Sequence, residues 1–247
     1  MWPIKKKTEI NFETNNWAVR KYAPIRPAIE FLPKKFKEMP LFVDKQEHMI
    51  DSTKTIKACP GIKDYLTLGY IIPAWCDMEF TPVQDGQIFG RYSDPTYNHA
   101  IHSQEQVGNF LEKTYKVNTP IKLDNPWRTW TTKNWSLLYL PLHYHDGLNF
   151  NAVPGIIDHD LGALHSPINI MLKENKKTVI KQGDPLVQVI PIRREIVNAR
   201  TGDLSKTAIL RHDSIIKLFD MTFKGWTKYM KEKKNYRITN NDTELPE

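Results

Sequence analysis

Cysteine is nearly absent from this chain. Cys59 and Cys76 are its two cysteines. They stand 17 positions apart and match no zinc-ligand spacing, so both are expected as free thiols in a reducing compartment, and the fold must hold without disulfides. Long apolar runs are missing as well. The start, MWPIKKKTEI, has no apolar stretch behind its lysines and is not expected to act as a signal peptide. Nothing approaches the ~20 apolar residues of a membrane span, so a soluble, intracellular protein without a membrane partner is expected. A strong charge of one sign is also lacking: 35 basic and 28 acidic residues are interleaved, for a net +7. The excess gathers at Lys5-Lys6-Lys7 and at Lys228, Lys231, Lys233, Lys234 and Arg237, which read as solvated ends. A nucleic-acid partner is therefore not selected by charge.

What is present can build a core. With 247 residues, 40% of them apolar, the chain suffices for one large domain or two small ones. Its centre of organisation is residues 153–195. Ser166 to Lys173 alternates as a strand, with Ile168, Ile170 and Leu172 on one face and Asn169 and Met171 on the other. Leu186 to Ile192 is denser in branched residues and reads as a more buried strand. Glu174 to Lys177 and Gln182-Gly183-Asp184-Pro185 are turns. Just upstream, Asp158 and Asp160 share one face if the piece is extended.

Taken in order, residues 1–50 read as an irregular N-terminal arm. Pro24, Pro27, Pro33 and Pro40 divide it, leaving at most a short helix on each side of Pro33. Its aromatics, Trp17, Tyr22, Phe31, Phe36 and Phe42, are expected to pack on the chain's own core, with an interface as the alternative. Residues 51–211 read as a β-rich core. Cys59-Pro60-Gly61 marks a turn, and strand character follows in Tyr65 to Pro73 and Ala74 to Pro82, where Asp77 and Glu79 share a wet face. Residues 84–126 form a long polar excursion, a lid or an interface, in which Ser103 to Thr114 can be a helix capped by Ser103 and Gln106. Pro126 to Leu142 holds Trp127, Trp130 and Trp135 on strands joined by a turn at Thr131-Thr132-Lys133-Asn134. Core packing is the common use of such aromatics, and stacking on a base or sugar the sharper one. Residues 212–237 carry apolar positions at three and four, with lysines opposite, and predict an amphipathic helix packed on the core; 238–247 reads as a disordered tail. In His143-Tyr144-His145-Asp146 a His-x-His pair could ligate a metal in the cupin or oxygenase manner, but ordinary polar residues at a strand end are the plainer reading.

Two resemblances attach to these residues. Gly155-Ile156-Ile157-Asp158-His159-Asp160 and Gly183-Asp184-Pro185-Leu186-Val187-Gln188 resemble the third and fourth motifs of dUTPases and dCTP deaminases. Lys133-Asn134-Trp135-Ser136 stands roughly where that family has its Arg-Ser-Ser phosphate motif. The resemblance implies a β-clip-type core and a nucleotide ligand with Mg²⁺ bridging its triphosphate. It gives Asp158, with Asp160, the water-orienting role, Lys133 and Ser136 the phosphate contacts, and Gln188 the support of the turn. Departures point to altered or lost pyrophosphatase activity: Leu161 replaces the family's tyrosine, Gly162-Ala163-Leu164 lacks its glutamate, and no glycine-rich tail follows. More loosely, residues 33–40, Cys59-Pro60-Gly61, residues 69–77, and residues 183–185 with 188–192 are similar to a family of tailed-phage and bacterial proteins of unknown function. That suggests a phage origin and the host cytoplasm as location.

The expectation is thus a mainly β protein with a dUTPase-like core, an irregular N-terminal arm and a C-terminal amphipathic helix. The expected partners are a nucleotide ligand and further copies of the chain in a homo-oligomer. The alternatives are a phage structural or host-interaction protein without catalysis, and a metal protein using His143 and His145.

Overall fold

The computed structural model describes residues 8–43, 55–83, 87–107, 119–162, 164–199 and 201–202. The chain divides into two compact units, Met1–Glu195 and Ile196–Glu247. Six residues of the second unit are described, all without regular structure, and the helix expected over 212–237 and the tail after it lie outside the described residues.

The first unit is mainly β, as expected, and every strand pair among its described residues is antiparallel. The strand Pro185–Arg193 lies in the middle of a five-stranded sheet whose order is Gly155–Ile157, Trp135–Leu140, Pro185–Arg193, Tyr70–Pro73 and Arg26–Pro27. Leu186, Val187, Gln188 and Val189 are all buried, which is what a run of branched residues with a strand on each side produces. A four-stranded sheet runs Phe150–Ala152, Ile168–Leu172, Ile121–Leu123 and His99–Ile101. Ile168, Ile170 and Leu172 are buried as their period of two demands, and Met171 on the other face is buried too. Two three-stranded sheets complete the set among the described residues. One joins Ile10–Glu13, Arg128–Thr131 and Leu164–His165; the other joins Thr178–Ile180, Met78–Pro82 and Ile88–Tyr92.

Several sequence expectations are corrected. Cys59-Pro60-Gly61 is not a turn before a strand: it opens the helix Pro60–Thr67, because proline at the first helical position has a suitable φ and lacks an N–H that would go unpaired anyway. The expected strand from Tyr65 therefore begins only at Tyr70. Between them Gly69 adopts φ +75, and a Cβ there would meet the Val189 carbonyl oxygen at 2.1 Å, so no other residue fits. Trp17, Tyr22 and Phe42 are 62%, 53% and 54% exposed rather than packed on the core. Val19 is the buried residue of the helix Trp17–Tyr22, which turns both its aromatics outward. The wet face of Asp77 and Glu79 is as expected, each carboxylate pairing with a lysine, Lys181 and Lys177. So is the break at Pro33, which separates a 3-10 turn at Ala28–Phe31 from the helix Lys34–Glu38.

Candidate functional site

Asp158 and Asp160 do not lie along an extended segment. The edge strand Gly155–Ile157 ends at Asp158, and a 3-10 turn, His159–Leu161, follows at once. The turn buries His159 at 0% exposure and leaves the two flanking carboxylates to converge on one guanidinium, that of Arg194. Two acids that a strand would have aligned are brought together by a turn instead.

Three segments meet here. Arg128–Thr131 and Trp135–Leu140 belong to different sheets, and the chain crosses between them through the expected turn, with Asn134 at φ +68. Asparagine tolerates this left-handed conformation better than most residues. The Asn134 N–H donates to Asp160 Oδ2 at 2.8 Å. The strand Pro185–Arg193 pairs Arg193 with Trp135, so its next residue, Arg194, falls beside Asn134 and donates its N–H to the Asn134 carbonyl at 2.9 Å. The Arg194 guanidinium then bonds Asp158 Oδ2 at 2.6 Å through Nη1 and Asp160 Oδ2 through Nη2. From the same strand as Trp135, buried Ser136 donates its hydroxyl to Asp158 Oδ1 at 2.5 Å.

The two carboxylates differ in environment. The Asp158 side chain is 44% exposed, and the Ser136 hydroxyl, then Arg194, hold its carboxyl below the usual range, so it is a charged, weakly basic group. The Asp160 side chain is 4% exposed, and its Oδ1 is buried without a hydrogen-bond partner among the described residues. Beneath both, His159 Nδ1 lies 3.1 Å from the Thr129 carbonyl and Nε2 lies 3.0 Å from the Tyr139 hydroxyl. A carbonyl only accepts, so Nδ1 carries the proton and Nε2 accepts from Tyr139. Burial lowers the pKa of this ring and raises that of Tyr139.

The structure thus gathers Asp158, Asp160 and Ser136, and adds Arg194 and Asn134, which the sequence reading missed. The available signal was Arg193-Arg194 directly after a buried strand. Lys133 is exposed in the same turn as Asn134. The Gln188 side chain turns to the helix Pro60–Thr67: its buried amide donates to the Tyr65 and Leu68 carbonyls, both at 2.8 Å, closing the end of that helix. A divalent cation does not fit between the two acids as they stand, because the positively charged Arg194 guanidinium already bridges Oδ2 of both. Among the described residues no group of three or more His, Cys, Asp or Glu could hold a metal. His143 is exposed, and burial lowers the pKa of His145. No described helix is long and apolar enough to cross a membrane.

No family model matches the chain, and no curated protein does. Among solved structures it is similar to the native dUTPase of EIAV, at 9% identity and TM-score 0.34, and to a point-mutant dUTPase from phage phi11 of S. aureus that coordinates a structural Mg(II) ion, at 10% identity and TM-score 0.35. Each comparison covers 80% of this chain and 99% of the other.

Proposed function

We propose that the Asp158–Arg194 cluster marks the ligand site of a nucleotide-binding protein of dUTPase-like kind whose pyrophosphatase activity is altered or lost. The observation that carries this reading is the state of Asp158. A general base works best with a pKa near the working pH. Here one oxygen accepts from Ser136, the other is held by Arg194, and the carboxyl is less basic than an ordinary aspartate. Phosphate contact falls to exposed Lys133 and to the partly exposed guanidinium of Arg194, since the Ser136 hydroxyl is committed. Any Mg²⁺ arrives with the triphosphate rather than being held by the acid pair.

A panel of deoxynucleoside triphosphates, with and without Mg²⁺, tests this by thermal shift and by pyrophosphate release. One nucleotide should stabilise the protein, by ~2.7 kcal/mol at a hundred times its Kd, without turnover. Asp158→Asn should preserve that binding. Stabilisation by no nucleotide sinks the ligand reading; wild-type turnover abolished in Asp158→Asn at unchanged Tm sinks the reading of lost catalysis.

The exposed Trp17, Tyr22 and Phe42 favour a second reading, a structural or host-interaction protein that uses the N-terminal residues as an interface. Pull-down from host lysate with wild type and with Trp17→Ala/Phe42→Ala separates the two, since those substitutions leave the acid cluster untouched.

A further inference from the structure

His159 is the one residue between the two acids, and it faces the opposite way. Its ring has no exposure to solvent, while Asp158 and Asp160 both turn to the Arg194 guanidinium. The ring is gripped from two strands of different sheets: by the Thr129 carbonyl of Arg128–Thr131 and by the Tyr139 hydroxyl of Trp135–Leu140. Those bonds fix the position of the 3-10 turn, and with it the directions in which the neighbouring side chains leave the backbone.

We infer that the neutral imidazole of His159 is the positioning residue of the acid pair, and that uptake of a proton by this ring releases Asp158 and Asp160 from Arg194. The geometry makes the neutral form specific. With Nδ1–H committed to a carbonyl, Nε2 must accept, and the Tyr139 O–H supplies the proton it accepts. A proton on Nε2 would face that hydroxyl, forcing the tyrosine proton to turn away and placing a full charge where no water reaches. The groups that act on the ring are few. Tyr139 and Thr129 meet it from the packed strands, and on its own turn Asp158 is the charge that interacts with it. An imidazolium would therefore draw Asp158 toward itself and away from Arg194. Loss of the turn's anchor would also free Asp160 from the Asn134 N–H.

The Asn134 amide is a reporter inside the protein, because its N–H is bonded to Asp160 and its carbonyl to Arg194. NMR titration of the whole chain should show the Asn134 amide proton moving in a step whose midpoint coincides with that of the His159 ring, below the ordinary imidazole value. In Tyr139→Phe, which removes the donor to Nε2, both midpoints should rise together. In His159→Gln the step should vanish, leaving only movement in the carboxylate range. An Asn134 step unchanged in His159→Gln, or midpoints that part company in Tyr139→Phe, overturns the inference. Should His159→Gln fail to fold, Tyr139→Phe alone decides it. The readout needs no nucleotide, so failure of the ligand reading and failure of this one are distinguishable.

Discussion

Replacing Arg194 with alanine removes the guanidinium that faces both carboxylates, and the two acids should feel the loss unequally. Asp160 is the costly partner. Its carboxylate is 4% exposed against 35% for the arginine side chain, so without Arg194 a charge remains in a place that water reaches poorly, supported among the described residues by the Asn134 N–H. Breaking a fully buried pair in this way costs ~3 to 5 kcal/mol, and an exposed pair contributes ~0.2 to 1. The geometry lies between these limits, so Arg194→Ala should destabilise by roughly 2 to 3 kcal/mol, a fall in Tm of about 4 to 12 °C at ~2 to 4 °C per kcal/mol for a chain of this size. The assay is urea denaturation of wild type, both single variants and the double variant in two cycles, Arg194 with Asp160 and Arg194 with Asp158. Coupling to Asp160 should clearly exceed coupling to Asp158, whose carboxylate stays hydrated and keeps the Ser136 bond. A larger coupling to Asp158, or an Arg194→Ala variant as stable as the wild type, would refute the view that burial of Asp160 anchors the cluster.

Other outcomes follow from the same structure. Burial lowers the pKa of His99, His145 and His159, so the unfolded chain takes up their protons first. The stability they contribute is full above about pH 6.5 and is lost as pH falls through their folded values, visible as a declining urea midpoint; a midpoint flat across that window would contradict the buried neutral rings. Gly69→Ala should cost ~1 to 2 kcal/mol for its left-handed backbone, plus ~1 to 3 for displacing the Val189 carbonyl, whereas Gly147→Ala, at φ +79 with nothing within 4 Å, should cost only the first amount. Equal melting temperatures for the two glycine variants would mean that the close approach at Gly69 is not real. Trp17→Ala should change stability by less than ~0.5 kcal/mol, and a large loss in calorimetry would show that this ring is buried after all.

Local features were legible before the fold was known. The alternation of Ile168, Ile170 and Leu172 and the density of branched residues in Leu186 to Ile192 record which faces are buried, because a strand's side chains sort by a period of two within a few residues. The stop at Pro33 and the cap in which Gln106 accepts from the Ser103 N–H are equally local, each decided by groups at most a few positions apart. The helix Pro60–Thr67 is not legible in the same way, because a short apolar run has no distinctive period.

The sequence alone determined that the chain would be mainly β, that Asn134 would lie in a turn, and that two carboxylates would stand beside the segment after Gly155. Only the tertiary structure decided what those carboxylates face. Asp160 and Arg194 are 34 residues apart and Asn134 is 26 residues before Asp160. Nothing in the spacing of such distant residues announces that they meet. Their meeting depends on Arg193 pairing with Trp135 across the sheet and on a buried imidazole setting the turn. A shift of that register by one residue would send every side chain of the strand to the other face and leave Arg194 away from both acids.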